Sequence, residues 1–207
     1  QEEKKEFTKI IHKSSNRLMN TINDIIDISK IDAGQMKISQ KETSINSLIE
    51  ELYKFFDHEA KAKGINLIFA MALSNKEATV LTDSDKLHGI LINLIKNAIK
   101  YSRKGRINFG YFPRDEYIEF FVKDTGIGIP KNRLKAIFNR FEQADIEDSK
   151  VYEGSGLGLS IAKAYVEMLG GKIWVKSEEE DIANGKPGWS NFSFNIPFKK
   201  LKPATKS

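Results

Sequence analysis

A pair of amides on one predicted helix is the first feature whose spacing suggests chemistry. Asn93 and Asn97 lie four residues apart, so a helix places both on one face, beside Lys96, Lys100 and Tyr101. Amide oxygens suit a hard cation that keeps most of its water, and lysines supply point charges for phosphate oxygens. The stripe favours a site for polyphosphate with magnesium. An ordinary polar helix face is the alternative that this segment alone leaves open.

A glycine turn precedes another predicted helix. Gly154, Gly156 and Gly158 read G-x-G-x-G, which matches neither the dinucleotide fingerprint nor the P-loop. A helix N-terminus gathers backbone N–H donors and partial positive charge, which is typical of phosphate binding. The turn therefore indicates a second phosphate contact.

A carboxylate ends a predicted strand in 124-DTGIGIP-130. Gly126 and Gly128 let the backbone approach a flat ligand closely. The carboxylate of Asp124 only accepts hydrogen bonds when ionised, so it can take the exocyclic amino group of adenine but not the carbonyl of guanine. A simple tight turn is the alternative for these letters alone.

A long amphipathic helix is predicted over residues 2–33. Ile11, Leu18 and Ile25 recur every seven residues, a spacing typical of a seam that packs against another helix. Gly34 is a plausible helix terminator. No partner helix precedes this one in the sequence, so the partner is expected upstream or from another copy.

The remaining sequence predicts strands and helices in irregular alternation. Ser44 and Asp83 are good N-caps for helices that run to Lys63 and Tyr101. Other predicted segments are an extended piece at 36–39, strands at 65–73, 79–82, 106–112, 117–124, 172–177 and 191–198, and helices at 134–138 and 158–169. We expect an α/β (α+β) sandwich, in which helices lie on one face of a mixed, mostly antiparallel sheet after the long N-terminal helix.

Composition excludes several classes of function. The net charge of the 207 residues is +5, but the basic residues are scattered among 28 acidic ones without interleaved aromatics, so nucleic-acid binding is not expected. No apolar run approaches the ~20 residues of a membrane span, and no membrane contact by this chain is expected. The absence of cysteine fits a reducing compartment, and a cytoplasmic location is predicted.

The motifs in this order, with Phe138 and Phe141 between the two glycine segments, resemble the histidine kinase catalytic domain of the Bergerat ATP-binding fold. The resemblance covers roughly residues 39–198. Residues 22–34 are similar to the end of the second helix of the family's dimerisation and phosphotransfer hairpin. Their sequence resembles in particular that of bacterial hybrid sensor kinases. The resemblance to this family implies that the chain has three segments: hairpin helix 1–35, ATP-binding domain 36–200 and linker 201–207.

The resemblance also implies a role for each motif residue. Asn97 would ligate Mg²⁺, Asn93 would support the phosphate–metal cluster, and Asp124 would hold adenine, with the Ser193 hydroxyl nearby. Residues 142–153 would form a lid over the nucleotide. The remaining residues implied to bind ATP are Lys100, Tyr101, Gly126, Gly128, Ile129, Gly154, Gly156, Leu157 and Gly158.

The sequence departs from the family pattern in an acidic lid, with Glu142, Asp145, Glu147 and Asp148, and at one position of the asparagine helix. Gly89 stands where relatives often carry glutamine, and glycine lowers helix stability by about 1 kcal/mol relative to alanine.

The residue four positions before the magnesium asparagine separates two classes of Bergerat-fold protein. Related ATPases carry a glutamate there that activates water, whereas this chain has Asn93, and an amide is no general base. Phosphoryl transfer depends mainly on positioning and charge stabilisation, so the γ-phosphate can wait for another nucleophile. A protein-histidine kinase is therefore predicted. A Bergerat-fold ATPase, or a degenerate module that only binds nucleotide, is the alternative.

The acceptor histidine is expected in a motif resembling H-E-x-R-T-P, which this sequence lacks. His12 lies on the hairpin-type helix but is followed by 13-KSSNR-17, and His58 and His88 are interpreted as surface or space-filling residues. The fragment is therefore predicted to bind Mg-ATP without phosphorylating itself. The expected partners are a histidine-bearing helix of the same protein or its dimer mate, and a response-regulator receiver domain. The parent is expected to be a homodimer, with the inner membrane as a possible anchor.

Overall fold

The structure is a computed structural model that describes residues 2–142, 155–181 and 183–198. The predicted lid, apart from Glu142, and the predicted linker 201–207 lie outside the described residues. The elements are α1 Glu2–Asp32, β1 Lys41–Ser44, α2 Ile45–Ala62, β2 Ile65–Met71, β3 Thr79–Thr82, α3 Ser84–Tyr101, β4 Gly105–Pro113, β5 Tyr117–Asp124, α4 Gly158–Met168, β6 Lys172–Glu178 and β7 Trp189–Pro197.

The helices begin at the polar residues that the sequence indicates. The Ser44 side chain accepts a hydrogen bond from the N–H of Ser47 at 3.3 Å. The Asp83 carboxylate accepts from the N–H groups of Asp85 and Lys86, both at 3.1 Å. These side chains satisfy N–H groups that lack partners within the helix, which is why both helices begin there.

The main sheet has five strands in the order β2-β4-β5-β7-β6. The β2–β4 pair is parallel and the other three pairs are antiparallel, which confirms the predicted mixed, mostly antiparallel sheet. A second sheet pairs β1 with β3. The extended segment was predicted at 36–39, but the strand begins at Lys41, because pairing with β3 starts at Lys41↔Thr82.

The core lies between the sheet and helices α2, α3 and α4. Alternate residues of β4, Ile107, Phe109 and Tyr111, are buried, as the period of a strand requires. The predicted inward face of α3 is buried throughout: Leu91, Leu94, Ile95 and Ala98. The polar residues of α3 are therefore turned away from the sheet.

Helix α1 carries exposed large apolar side chains along most of its described length. Ile11 and Leu18 of the predicted seam are 63% and 61% exposed, and Phe7, Met19, Ile22, Ile25 and Ile26 are also exposed. Near its C-terminal end, Ile28 and Ile31 pack against the hydrophobic core. An apolar row of this length is typical of a surface that meets another protein segment.

Among the described residues, no helix is both long enough and apolar enough to cross a bilayer.

Candidate nucleotide site

The exposed side of α3 carries the amide and ammonium groups of the site. Asn93 and Asn97 are half-buried, and neither side chain has a hydrogen-bond partner within the part of the chain that the structure describes. Lys96 is exposed beside them. The Nζ of Lys100 lies 4.7 Å from the centroid of the Tyr101 ring, a cation–π contact at the end of the helix.

Asp124 lies at the end of β5 with only 4% of its surface exposed. Its Oδ1 accepts a hydrogen bond from the N–H of Gly126 at 2.9 Å. Burial raises the pKa of this carboxyl to about 6, against the lowering effect of hydrogen bonds from the backbone of Gly126 and Ser190. A buried carboxylate with spare acceptor capacity is suited to a ligand that brings donors of its own.

The first glycine segment is shaped by close approaches of other backbone. A Cβ on Gly126 would lie 2.5 Å from the carbonyl oxygen of Tyr101, and one on Gly128 would lie 1.8 Å from the carbonyl oxygen of Glu178. The φ of Gly128 is +74°, a conformation that glycine adopts without strain. The N–H of Ile129 donates to the Ser177 hydroxyl at 2.9 Å. These contacts fix the segment between α3 and β6.

Ser193 does not lie beside Asp124, and that expectation is wrong. In the β5–β7 pairing Asp124 is opposite Ser190, whereas Ser193 is opposite Phe121. Side chains alternate between the two faces of a strand, and an offset of three residues puts Ser193 on the other face of the sheet. Ser190 is buried and its hydroxyl lies 3.0 Å from the Ser177 hydroxyl, so it is the hydroxyl of β7 on the Asp124 face.

The second glycine segment meets α3 directly. A Cβ on Gly158 would lie 3.2 Å from Oδ1 of Asn93, so the start of α4 rests against the first amide. Gly156 has a φ of +71°, and its carbonyl accepts a hydrogen bond from the N–H of Phe141 at 3.1 Å. Leu157 is the N-cap of α4 and is buried. Gly154 lies outside the described residues.

The two phenylalanines between the glycine segments do not act together. Phe138 ends a short 3₁₀ turn and packs against Phe192 with the ring centroids 6.3 Å apart. Phe141 is 69% exposed and has a φ of +60°. Phe141 therefore does not pack together with Phe138, because the chain leaves the 3₁₀ turn after Phe138.

Three contacts between α1 and the rest of the site were not anticipated from the sequence. Asp24 accepts a hydrogen bond from Ser155 at 2.9 Å, and Asp27 accepts one from Tyr165 at 2.9 Å. A bidentate ion pair joins Arg140 to Asp32, with one N–O distance of 2.6 Å. Pairings across 108 or more residues leave no signal in local spacing. Only the presence of three carboxylates near the end of α1 hinted at them.

The donor chemistry of the site fits magnesium better than a transition metal. Among the described residues no group of three or more His, Asp or Glu side chains could hold a metal ion. The amide oxygens of Asn93 and Asn97 are hard ligands, and Mg²⁺ commonly takes few protein ligands and completes its shell with phosphate and water. The two amides therefore fit Mg²⁺ only when a phosphate-bearing ligand accompanies it.

The sequence of this chain matches known families and proteins. Residues 82–200 match the family described as histidine kinase-, DNA gyrase B-, and HSP90-like ATPase. The hybrid signal transduction protein dokA of Dictyostelium discoideum is 37% identical over 199 residues, which cover 93% of this chain and 12% of dokA. The circadian input-output histidine kinase CikA of Synechococcus elongatus is 34% identical over 177 residues, covering 85% of this chain and 24% of CikA.

Two solved structures have a similar fold. Full-length ShkA in complex with AMPPNP has a TM-score of 0.80 at 25% identity, covering 97% of this chain and 40% of ShkA. Histidine kinase ThkA in complex with the response regulator protein TrrA has a TM-score of 0.68 at 25% identity, covering 94% of this chain and 51% of that one.

The chain belongs to the family of histidine kinase-, DNA gyrase B- and HSP90-like ATPases. Its resemblance to the catalytic domains of two-component sensor histidine kinases is confirmed. It spans only about 12–24% of the length of the two curated relatives described above.

Proposed function

We propose that this chain is the ATP-binding catalytic domain of a two-component sensor histidine kinase. It binds Mg-ATP and presents the γ-phosphate to a histidine on a helix outside this chain, for relay to a response-regulator aspartate. The support is of two kinds: the family of the chain, and the site that α3 and the two glycine segments build around Asp124.

One observation carries the proposal: the start of α4 contacts Asn93, on the helix that also bears Asn97. Phosphates bound at the α4 N-terminus would therefore lie next to both amides, with the exposed Lys96 beside them. Asp124, at the end of β5, would accept from the adenine amino group, with the Ser190 hydroxyl nearby. Mg²⁺ would be held by Asn97, with Asn93 in support, and would neutralise phosphate charge.

The same site lacks a group that would activate water. Asn93 occupies the position four residues before Asn97, and its amide cannot accept a proton. Slow hydrolysis is therefore expected, with phosphate held for a protein acceptor. A turnover near that of a median enzyme, ~10 per second, would instead favour the ATPase alternative.

The acceptor is proposed to be supplied by another segment. His12, on α1, and His58, on α2, are exposed, and His88 pairs weakly with Glu51 at 4.0 Å, so none of them is part of the site described above. The exposed apolar row of α1 suits a partner helix, which supports the division into a hairpin helix at 1–35 and an ATP-binding domain at 36–200. A homodimeric parent and a cytoplasmic location remain predictions.

Two complexes of relatives bear on the ligands. ShkA was solved with AMPPNP, an ATP analogue, and ThkA with a response regulator protein. By analogy we propose ATP and a receiver domain as partners of the protein that contains this chain.

Calorimetry with Mg-ATP tests the binding part. Asp124→Asn and Asn97→Ala should each weaken binding at least about tenfold, since each removes one of the proposed ligand contacts. Asp115→Asn and Asn66→Ala are matched controls, because both residues are exposed and lie outside the site. Equal affinity in all five proteins would overturn the proposal.

A transfer assay tests the kinase part. The chain is mixed with a separate hairpin that carries an H-E-x-R-T-P segment, together with γ-labelled ATP. Acid-labile phosphate on the hairpin is expected, and none on this chain alone. ATP binding without any transfer would favour the degenerate nucleotide-binding module.

A further inference from the structure

Helix α1 presents three carboxylates to the ATP-binding domain, and each has a named partner. Ser155 donates to Asp24, Tyr165 to Asp27 and Arg140 to Asp32. These partners belong to the second glycine segment, to α4 and to the residue before Phe141. α1 is therefore held at the edges of the proposed phosphate site, and not at a remote part of the domain.

The Asp24 contact reaches into the glycine segment itself. The Ser155 hydroxyl that donates to Asp24 also accepts a hydrogen bond from the N–H of Leu157, the N-cap of α4, at 3.3 Å. Burial, and to a smaller extent the neighbouring Asp27 carboxylate, raise the pKa of Asp24, whereas the Ser155 hydrogen bond and the charge of Lys96, the ammonium group between Asn93 and Asn97, lower it. The Asp24 carboxylate thus interacts with two groups, the Ser155 hydroxyl and the Lys96 ammonium group, that an incoming phosphate would use.

The other two contacts keep Asp24 in place. The Tyr165 ring, whose hydroxyl holds Asp27, lies against α3 where Gly89 leaves room, since a Cβ there would be 3.2 Å from the ring. The Arg140–Asp32 pair ties the last residue of α1 to the segment before Phe141. These two contacts hold the C-terminal part of α1 against the rest of the chain and so keep Asp24 beside Ser155.

We propose that Asp24 acts as an internal anion that competes with nucleotide phosphate, so that docking of α1 and binding of ATP oppose each other. The inference rests on the proposed function of the site. The carboxylate and the phosphate carry the same sign of charge and draw on the same hydroxyl and ammonium groups. Coupling between two binding events is reciprocal. Bound ATP therefore weakens the docking of α1 by the same factor by which docked α1 weakens the binding of ATP.

Binding measurements on the whole chain test this competition, with Mg-ATP and adenosine as two separate probes. Asp24→Asn should tighten Mg-ATP binding about three- to tenfold and leave adenosine binding within about twofold, because adenosine has no phosphate. Asp27→Ala, which removes the acceptor of the Tyr165 hydroxyl and so loosens α1 at a second point, should act in the same direction. Glu6→Gln is the matched control, as it removes one negative charge from α1 at an exposed position.

The outcomes separate the inference from the function on which it rests. If neither probe binds, the proposed nucleotide site fails. If both probes bind, two results refute the competition and leave the nucleotide site in place. One is that Asp24→Asn has the same affinity for Mg-ATP as Glu6→Gln; the other is that Asp24→Asn tightens the binding of both probes equally. Hydrogen exchange gives the reciprocal readout: saturating Mg-ATP should raise exchange of the amides at 22–32 in the unmodified chain, and unchanged exchange would also refute the competition.

Discussion

Gly158 and Asn93 are in contact across the gap between α4 and α3: a Cβ on Gly158 would stand 3.2 Å from the amide oxygen of Asn93. The two residues are 65 positions apart in the sequence, and each belongs to a different motif. Their contact makes the amide face and the glycine turn a single site. A side chain on the first residue of α4 would crowd the Asn93 amide.

Gly158→Ala should weaken Mg-ATP binding at least about threefold, because the added methyl group displaces the Asn93 amide. The fold should tolerate it, since alanine is the better helix former and φ at this position is not left-handed. Calorimetry and thermal unfolding measure the two effects separately. An unchanged affinity in the folded variant would show that the Asn93 amide adapts at no cost to binding. Adenosine serves as the control ligand, and its affinity should not change.

Asp124→Asn should make the protein more stable while it weakens nucleotide binding. A carboxyl whose pKa is raised from 3.8 to about 6 by burial costs the fold about 1–3 kcal/mol when it is charged at neutral pH. The asparagine oxygen can still accept from the N–H of Gly126, without carrying a charge. Urea unfolding at pH 7.5 measures the gain, and a destabilised variant would contradict it.

The stability gain in Asp124→Asn should depend on pH. Because the folded-state pKa is raised, the stability from this carboxyl is fully present below its unfolded value of 3.8 and is lost as the pH rises through about 6. The difference in Tm between the variant and the parent should therefore grow from pH 4 to about pH 6 and then level off. Other titrating groups are common to both proteins and cancel. A difference that is flat across this range, as expected for the exposed Asp115→Asn, would mean that Asp124 has an ordinary pKa.

The positions of the helices and strands along the chain could be predicted from the sequence because their signals are local. Ser44 and Asp83 cap helices within three residues of themselves, and the apolar face of α3 repeats with the helical period. The prediction that Ser193 lies beside Asp124 was wrong because that position has no local signal. Which of two hydroxyls three residues apart lies beside Asp124 depends on the register between β5 and β7, and no residue in either strand fixes that register by itself.

Contacts between distant segments could not be predicted from the sequence either. The sequence predicts that Gly89 lowers the stability of α3. In the structure, the Tyr165 ring packs next to Gly89. No local pattern assigns partners to the carboxylates of α1, whereas Asp24, Asp27 and Asp32 each accept a hydrogen bond from a distant part of the chain. In each case the partner lies more than 70 residues away and has no spacing rule that would identify it.

The fit between Gly89 and Tyr165 predicts a coupling that a double-mutant cycle can measure. In a Tyr165→Ala background, Gly89→Ala should raise stability by about 1 kcal/mol, the usual gain in a helix interior. In the native background the new methyl group meets the ring at 3.2 Å, and the hydroxyl bond to Asp27 limits how far the ring can move. The gain should shrink or reverse there, with a coupling of at least about 0.5 kcal/mol. Additive effects would mean that the ring shifts freely.

The buried hydrogen bond between Tyr111 and Asn46 should support the fold without affecting the nucleotide site. The Tyr111 hydroxyl donates to Oδ1 of Asn46 at 2.5 Å, and the Asn46 amide donates to the carbonyl of Leu73 and to Asn75. Tyr111→Phe leaves a buried acceptor without its donor, at a cost of about 1–3 kcal/mol in the free energy of unfolding. Tyr117→Phe is the matched control, because Tyr117 is 37% exposed and its change should stay within about 0.5 kcal/mol. Mg-ATP affinity should be unchanged in both variants. A loss of affinity in Tyr111→Phe at temperatures where it is fully folded would show that β4 transmits strain to Asp124 through its pairing with β5.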